Sequence, residues 1–521
     1  MTGANSGSDD RLVLAIDLGT TALKIGVAGL DGRVIWTGHA ELETRFGPGG
    51  AATQDAEGWW QLAGDAFRQG RASGSFDADS IVAVSCTGQW ASTVPVDEAG
   101  RPVGECVLWM DSRGAPHARR RFGGPVAGYA PVPLVTWIRR TGGAPSTTGA
   151  DPIGHMLYLA AERPDVAART RWYLEPVDYL AMRLTGMAVA THASMTAAWL
   201  TDNRHLERLG YDAALVRRAG VDDDKLPPLR PTGALLGTVR ADVAAELGIP
   251  PDVQVVAGVP DLHSAAVGTG SVQEYQAHTC ISTTSWVSCP VAFKKTDVIR
   301  QIASVPGLTA GDYLVANNHE TAGACLQWLR DRAFAGRLSY DELIGQASQS
   351  AAGAGNVVFT PWLAGERSPV DDRYARAGFH NLSLTTTGAD LTRAVLEGVA
   401  YNARWLHEAV ERFCGRRLEP VRMFGGGAVS DLWCQIHADV LGRTIERVVQ
   451  PITTNLRGAA ILAGLALGTV DRANVGDLVP LDRTFEPDER TRDVYDRLFA
   501  EFPKLYQAQK GFFGRLNRPP R

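Results

Sequence analysis

Twice in this chain an apolar, strand-length run ends at a short turn of small and hydroxyl side chains, and a second strand-length run returns at once. The first case is residues 13–16, then Asp17-Leu18-Gly19-Thr20-Thr21, then residues 24–30. The second is residues 279–281, then Ser282-Thr283-Thr284-Ser285, then residues 286–291. The likeness is one of pattern and not of residues. Two halves that open in the same way point to two α/β lobes. Their boundary is expected near residues 260–275, and no low-complexity linker separates them, so close packing is expected.

The rest of each half reads from local signals. Asp31-Gly32 is a hairpin turn, because glycine tolerates the positive φ such turns need, and residues 33–39 then make a third strand. Asp55 suits a helix N-cap ahead of Trp59, Trp60, Leu62 and Phe67. Residues 81–86 form a buried strand that ends at Thr87-Gly88-Gln89-Trp90. The Gly/Ala/Pro-rich stretches 122–133 and 141–154 read as loops, and residues 178–184 as helix. Residues 254–259 are a strand ending at Pro260-Asp261. Leu391, Val395, Val399, Asn402 and Leu406 fall at helical spacing. Residues 421–424 are a strand followed by Gly425-Gly426-Gly427 and a helix from Ser430. The expected division is a disordered tail at 1–10, lobes at 11–270 and 271–510, and a C-terminal tail at 511–521.

Composition narrows the partners. A net charge of −5 over 521 residues gives no reason to expect nucleic acid or a membrane. The seven cysteines include no CxxC pair, which suits reduced thiols in a cytoplasmic protein. No secretory leader or spanning segment is expected.

Four motifs can carry chemistry. In Asp17-Leu18-Gly19-Thr20-Thr21-Ala22-Leu23-Lys24, a carboxylate at a strand end can hold Mg²⁺ through water. Gly19 admits phosphate close to the backbone, Thr20 and Thr21 offer hydroxyls, and Lys24 offers a point charge. A plain hairpin would suit the same residues. Ser282 to Ser285 is the matching turn, and on its own the pattern suits a plain turn equally. Gly425-Gly426-Gly427 stands between strand and helix, where a flat ring or an anion can approach. Asp261, at the carboxyl end of a strand, is placed to face a cleft and accept a proton from an alcohol, or simply to cap the next helix. Neither GxGxxG nor GxxxxGK[ST] occurs, so dinucleotide-fold and P-loop chemistry lose their main support. His263 and the Trp59-Trp60 pair read as structural, and Gly365-Glu366-Arg367-Ser368-Pro369 as either a hinge or a surface ion pair.

Taken in order, these motifs resemble the FGGY carbohydrate kinases, in particular the xylulokinase-like branch. DLGTTALK resembles the first phosphate motif of that family and GVPD the segment of its catalytic Asp. FTPWLAGERSP, TRAVLEGVAYNARW, FGGGAVSDLWCQIHADVLG, ETAGACLQWLRD and Leu456-Arg457-Gly458-Ala459-Ala460 resemble its second-lobe signatures. The resemblance spans residues 11–470. It implies an α/β fold of two ribonuclease-H-like lobes of the actin/Hsp70 ATPase type, with the active site in the interlobe cleft. It implies ATP and Mg²⁺ as cofactors and a small sugar or polyol as substrate.

The resemblance also implies roles. Asp261 is the general base, and Asp17 and Asp261 place Mg²⁺ through water. Gly19, Thr20, Thr21, Lys24 and Thr283 face the phosphates. Gly323, Gln327, Gly426, Gly427 and Asp431 border the adenosine. Gln89, Trp90, Asp111 and Arg113 face the sugar, the last two within a WxDxR element. Trp90-Ala91 departs from the Met-His of xylulokinases and the Arg-Glu of glycerol kinases, which implies a reshaped pocket. His155 and His192 stand where many relatives have Lys and Asp. Ser282 replaces the Gly of the usual turn. A non-catalytic sugar or nucleotide sensor and an actin- or Hsp70-like ATPase remain alternatives on this fold, and a homodimer is left open.

Overall fold

The computed structural model describes residues 10–126 and 128–518. The N-terminal tail expected over 1–10 therefore lies, apart from Asp10, outside the described residues.

The first half folds as its turns predict. Strands β1 (Leu12–Leu18), β2 (Ala22–Gly29) and β3 (Val34–Glu41) form an antiparallel meander. β4 (Ile81–Gly88) joins β1 in parallel. β5 (Leu235–Thr238) lies antiparallel to β6 (Gln254–Pro260), which pairs in parallel with β4. The six-stranded order is β5-β6-β4-β1-β2-β3. Helix α1 (Ala56–Ala72) starts where Asp55 accepts the Glu57 N–H. It buries Trp59, Trp60 and Phe67 in one core with Leu14, Ile16 and Ile25. Each such side chain, fully buried, contributes roughly 1.5–3 kcal/mol. Helix α2 (Pro176–Thr185) packs in the same core through Tyr179, Leu180 and Leu184.

The second half repeats the scheme. β7 (Ala277–Ile281) and β8 (Ser285–Ser288) are antiparallel, and β9 (Val421–Phe424) runs parallel to β7. β10 (Ile445–Val448) and β11 (Leu481–Phe485) complete a five-stranded sheet, ordered β8-β7-β9-β10-β11. The series β2-β1-β4-β6 and β8-β7-β9-β10 share one pattern: an antiparallel return, then parallel neighbours.

The halves exchange helices. Helix α3 (Asp261–Gly268) follows β6, yet Ala265 and Val267 pack with Cys280, Phe424 and Val448 of the second sheet. Three further helices of the second half are α4 (Gly323–Trp328), α5 (Gly388–Cys414) and α6 (Asp431–Leu441). Helix α7 (Thr454–Ala466) comes from the second half, yet Leu456 and Ala459 pack on Ala15, and Ala460 and Ala463 on Val13, Ala28, Ala83 and Val256. The two helices touch backbone to backbone. A Cβ at Gly458 would stand 1.9 Å from Ser264 O, and one at Gly268 1.9 Å from Thr454 O.

Three expectations need correction. Residues 122–133 are not all loop: Gly123–Val126 is a strand, and Pro131–Thr141 is a helix. Pro131 fits the first helical turn, where no N–H is needed, and Gly142, at φ 98°, ends the helix. A composition rich in Pro and Gly hid an ordinary start and stop. Residues 141–154 stay irregular until Asp151 caps a helix at Pro152–Glu162. The tail set at 511–521 is, up to residue 517, part of helix α8 (Arg492–Asn517), with Phe513 buried against Trp362.

Candidate active site

The carboxyl ends of β1, β4 and β6 lie side by side, and each delivers a functional group. Asp17 is level with Thr87 of β4, and Pro260 with Gly88. Asp17 also faces Lys24 directly across the β1–β2 ladder, which brings Lys24 Nζ to 3.5 Å from its carboxylate. Asp261 follows Pro260 and opens α3, its Oδ1 accepting the Leu262 N–H at 2.8 Å. Burial, with the Asp17 charge adding to it, pushes the Asp261 carboxyl up to about 7. The Leu262 N–H and Lys24 pull the other way. Two neighbouring carboxylates supply oxygen ligands of the kind Mg²⁺ shares with phosphate oxygens, so the residues fit that ion.

The first turn is built for close approach. Gly19 N–H donates to Ala22 O at 3.0 Å, and a Cβ at Gly19 would meet that oxygen at 2.9 Å. Thr21 is exposed, whereas the Thr20 hydroxyl accepts the Trp109 indole N–H at 3.1 Å. Gln54 donates to Thr20 O at 2.7 Å.

The second turn leaves Ser282 and Thr283 exposed. Their carbonyls accept the N–H groups of Gly323 and Ala322, at 2.7 and 2.9 Å, and so hold the start of α4. Gly323 is required there, since a Cβ would lie 2.4 Å from Ser282 O. Ser282 is not among the described residues with positive φ. The serine in place of a glycine therefore turns without backbone strain. Gln327 is exposed on α4.

The three glycines after β9 differ. Gly425, at φ 94°, and Gly427 press on Ile281, at 2.5 and 2.4 Å from a built Cβ. Gly426 has nothing within 4 Å. Its face is open, as a binding surface requires. Gly426→Ala is expected to change stability by no more than about 0.5 kcal/mol while raising the KM for ATP severalfold. Gly425→Ala is expected to cost about 1–3 kcal/mol. Thermal melting and ATP titration on both variants check the contrast.

Some expected residues turn elsewhere. Asp431 pairs with Arg447 at 2.6 Å and Arg483 at 2.5 Å, so its carboxylate is engaged by two guanidinium groups and does not stand free toward a nucleotide. Asp111, expected to face the sugar, is fully buried. It accepts the Ala52 N–H at 2.9 Å and pairs with Arg113 at 2.6 Å. Through these partners Asp111 holds its loop against Ala52. Arg113 is spent on Asp111 and on the Tyr158 hydroxyl, at 2.7 Å. Gln89 is buried, its N–H on Leu18 O at 2.7 Å.

The Trp90 ring meets His263 edge-on at 6.1 Å and packs against a cluster of Leu262, the neighbour of Asp261, with Ala266, Val305 and Leu314. Trp286 of β8 packs against the same cluster from the second half. Its buried indole N–H has no partner among the described residues. From the sequence alone, no role of its own falls to Trp109, which opens the WxDxR element, or to Trp286, which directly follows the Ser282–Ser285 turn.

Residues 12–268 match the N-terminal domain of the FGGY family of carbohydrate kinases, and residues 265–467 match its C-terminal domain. The chain belongs to this family. It is an ATP-dependent carbohydrate kinase with two actin/Hsp70-like lobes. The kinase is 28% identical over 508 residues to a xylulose kinase of Staphylococcus epidermidis, covering 96% of this chain and 97% of the relative. It is 27% identical over 519 residues to a glycerol kinase of Halorhodospira halophila, covering 95% and 96%. Among solved structures, a gluconate kinase from Lactobacillus acidophilus superposes with a TM-score of 0.84 at 20% identity, covering 97% of the kinase and 100% of that chain. No helix among the described residues is long and apolar enough to cross a membrane.

Proposed function

We propose that this kinase phosphorylates a primary hydroxyl of a ketopentose or related sugar or polyol, with Asp261 as general base. The observation that supports this most is the Asp261 carboxyl, held at about 7 beside Asp17 and Lys24. A base poised near the operating pH can both lose and take a proton. Asp261 takes the proton from the acceptor hydroxyl as its oxygen attacks the γ-phosphorus, and the bond to the β-phosphate breaks to release ADP. Lys24 and the turn hydroxyls of Thr21 and Thr283 face the phosphates, where charge grows. Asp17 and Asp261 would hold Mg²⁺ through water, and bound Mg²⁺ supplies charge neutralisation on the phosphate oxygens. Gly323, Gln327, Gly426 and Gly427 border the adenosine. Trp90, Trp109 and Trp286 shape the acceptor side and keep water, a competing acceptor, away from the γ-phosphate.

The substrate names of the relatives differ, covering xylulose and glycerol. An ADP-release assay over D-xylulose, other ketopentoses, D-gluconate and glycerol tests the reading. A ketopentose is expected to give the highest kcat/KM. A higher value for glycerol or gluconate removes the ketopentose assignment, and ADP release from none of the panel removes the substrate class.

A further inference from the structure

Both aromatic residues of the first-half acceptor pocket are anchored through a single buried carboxyl. Glu175 stands at the start of α2 and is 2% exposed. Its Oε2 accepts the Ser92 backbone N–H at 3.2 Å. Ala91 has φ 62°, a left-handed conformation that a residue with a Cβ keeps only when its surroundings hold it. Trp90 immediately precedes this kink. Ser92 immediately follows it, and its Oγ accepts the Trp109 backbone N–H at 3.1 Å. One turn along α2, the buried Asp178 lies against the Ser194 side chain. The Ser194 carbonyl in turn accepts the Trp90 indole N–H at 2.8 Å. The first turn of α2 thus fixes Trp90 at both its backbone and its ring, and fixes Trp109 through Ser92.

We propose that Glu175, with Asp178 behind it, is a positioning residue that sets acceptor recognition by holding Trp90 and Trp109 in place. The inference rests on the assignment of those two indoles to the acceptor pocket. Burial and the neighbouring Asp178 push the Glu175 carboxyl well up. It therefore acts as a neutral acceptor, a task that an amide of the same shape performs as well.

The test is steady-state kinetics with whichever of D-xylulose, D-gluconate and glycerol turns over fastest. Glu175→Leu is expected to raise the acceptor KM about tenfold, the scale of one lost buried hydrogen bond, with the ATP KM unchanged within twofold. Glu175→Gln is expected to restore near-wild-type values. In a cycle with Trp90→Ala, the double variant is expected to lose less than the product of the single losses, because both act through one ring. Strict additivity, an equal rise in the ATP KM, or an unchanged acceptor KM overturns the inference. Should Glu175→Leu fail to fold, the same split is read on Ser92→Ala, which deletes the hydroxyl that takes the Trp109 N–H. An unchanged acceptor KM there overturns it too. Trp90→Ala alone separates the two readings. If it leaves the acceptor KM unchanged, the pocket assignment fails and the inference falls with it. If it raises the KM while Glu175→Leu does not, only the inference fails.

Discussion

Asp261→Asn is expected to lower kcat by about three orders of magnitude while leaving ATP affinity within about twofold, since a positioned general base contributes about 10²–10⁴ in rate. The amide keeps the shape and the Leu262 hydrogen bond but cannot take the proton. In the wild type, kcat/KM is expected to rise with pH through about 7, because the raised carboxyl must lose its proton before it can act as base. Stability runs the opposite way. The unfolded chain releases this proton near 3.8 and the native state only near 7. Between those values the native state holds the extra proton, so stability falls as pH rises through the window. Asparagine carries no such penalty. Asp261→Asn is therefore expected to melt above the wild type at pH 8, with the gap closing toward pH 4. A variant with near-wild-type turnover would remove Asp261 as the base, whatever its melting temperature.

The sequence made the first sheet and the residues grouped at its edge legible because their signals are local. Asp17 and Lys24 are seven residues apart, and the turn between them fixes their register. Asp261 announced itself as an acidic residue at the end of an apolar run. What stayed hidden depends on contacts distant in sequence. Nothing near Asp111 signals that Ala52, 59 residues earlier, takes one of its oxygens. Nothing near Asp431 signals Arg447 and Arg483. Glu175 looks like an ordinary residue ahead of a helix, and its meaning comes from Ser92, 83 residues earlier in the chain. Trp286 is read as part of a strand until the cluster around Leu262 shows which space it fills. The Gly365–Pro369 segment follows the same rule. Its half-exposed Arg367 makes the ion pair that the sequence allowed, with Glu320 at 2.9 Å, but its Glu366 is not a surface charge. It is buried, with Asn402 of α5 and the Glu320 and Arg367 N–H groups as donors, and burial pushes it up to about 8.

The second large effect is expected from a single methyl group at Gly458, which touches none of the catalytic residues. Helices α3 and α7 cross where Gly458 and Gly268 bring their backbones together, and each passes beneath the other half's sheet. A Cβ at Gly458 would stand 1.9 Å from Ser264 O and 3.0 Å from Gly268 N. These neighbours are backbone atoms within a helix, so no side-chain rotation relieves the clash. The helices must separate, and that unpacks Ala265 and Val267 on one side and Ala459 and Ala460 on the other. Overpacking of this kind costs about 1–3 kcal/mol when the surroundings can yield. Here they cannot, and Gly458→Ala is expected to cost about 4 kcal/mol, at the diagnostic end of single substitutions. Because α3 begins at Asp261, the same separation displaces the proposed base from Asp17 and Lys24. Protein that remains folded is expected to lose turnover along with stability. Urea unfolding of Gly458→Ala beside Gly426→Ala makes the comparison direct: two glycines given the same methyl, one against backbone and one against open space. Equal midpoints for the two variants would mean that the crossing is not the close contact that ties the halves together.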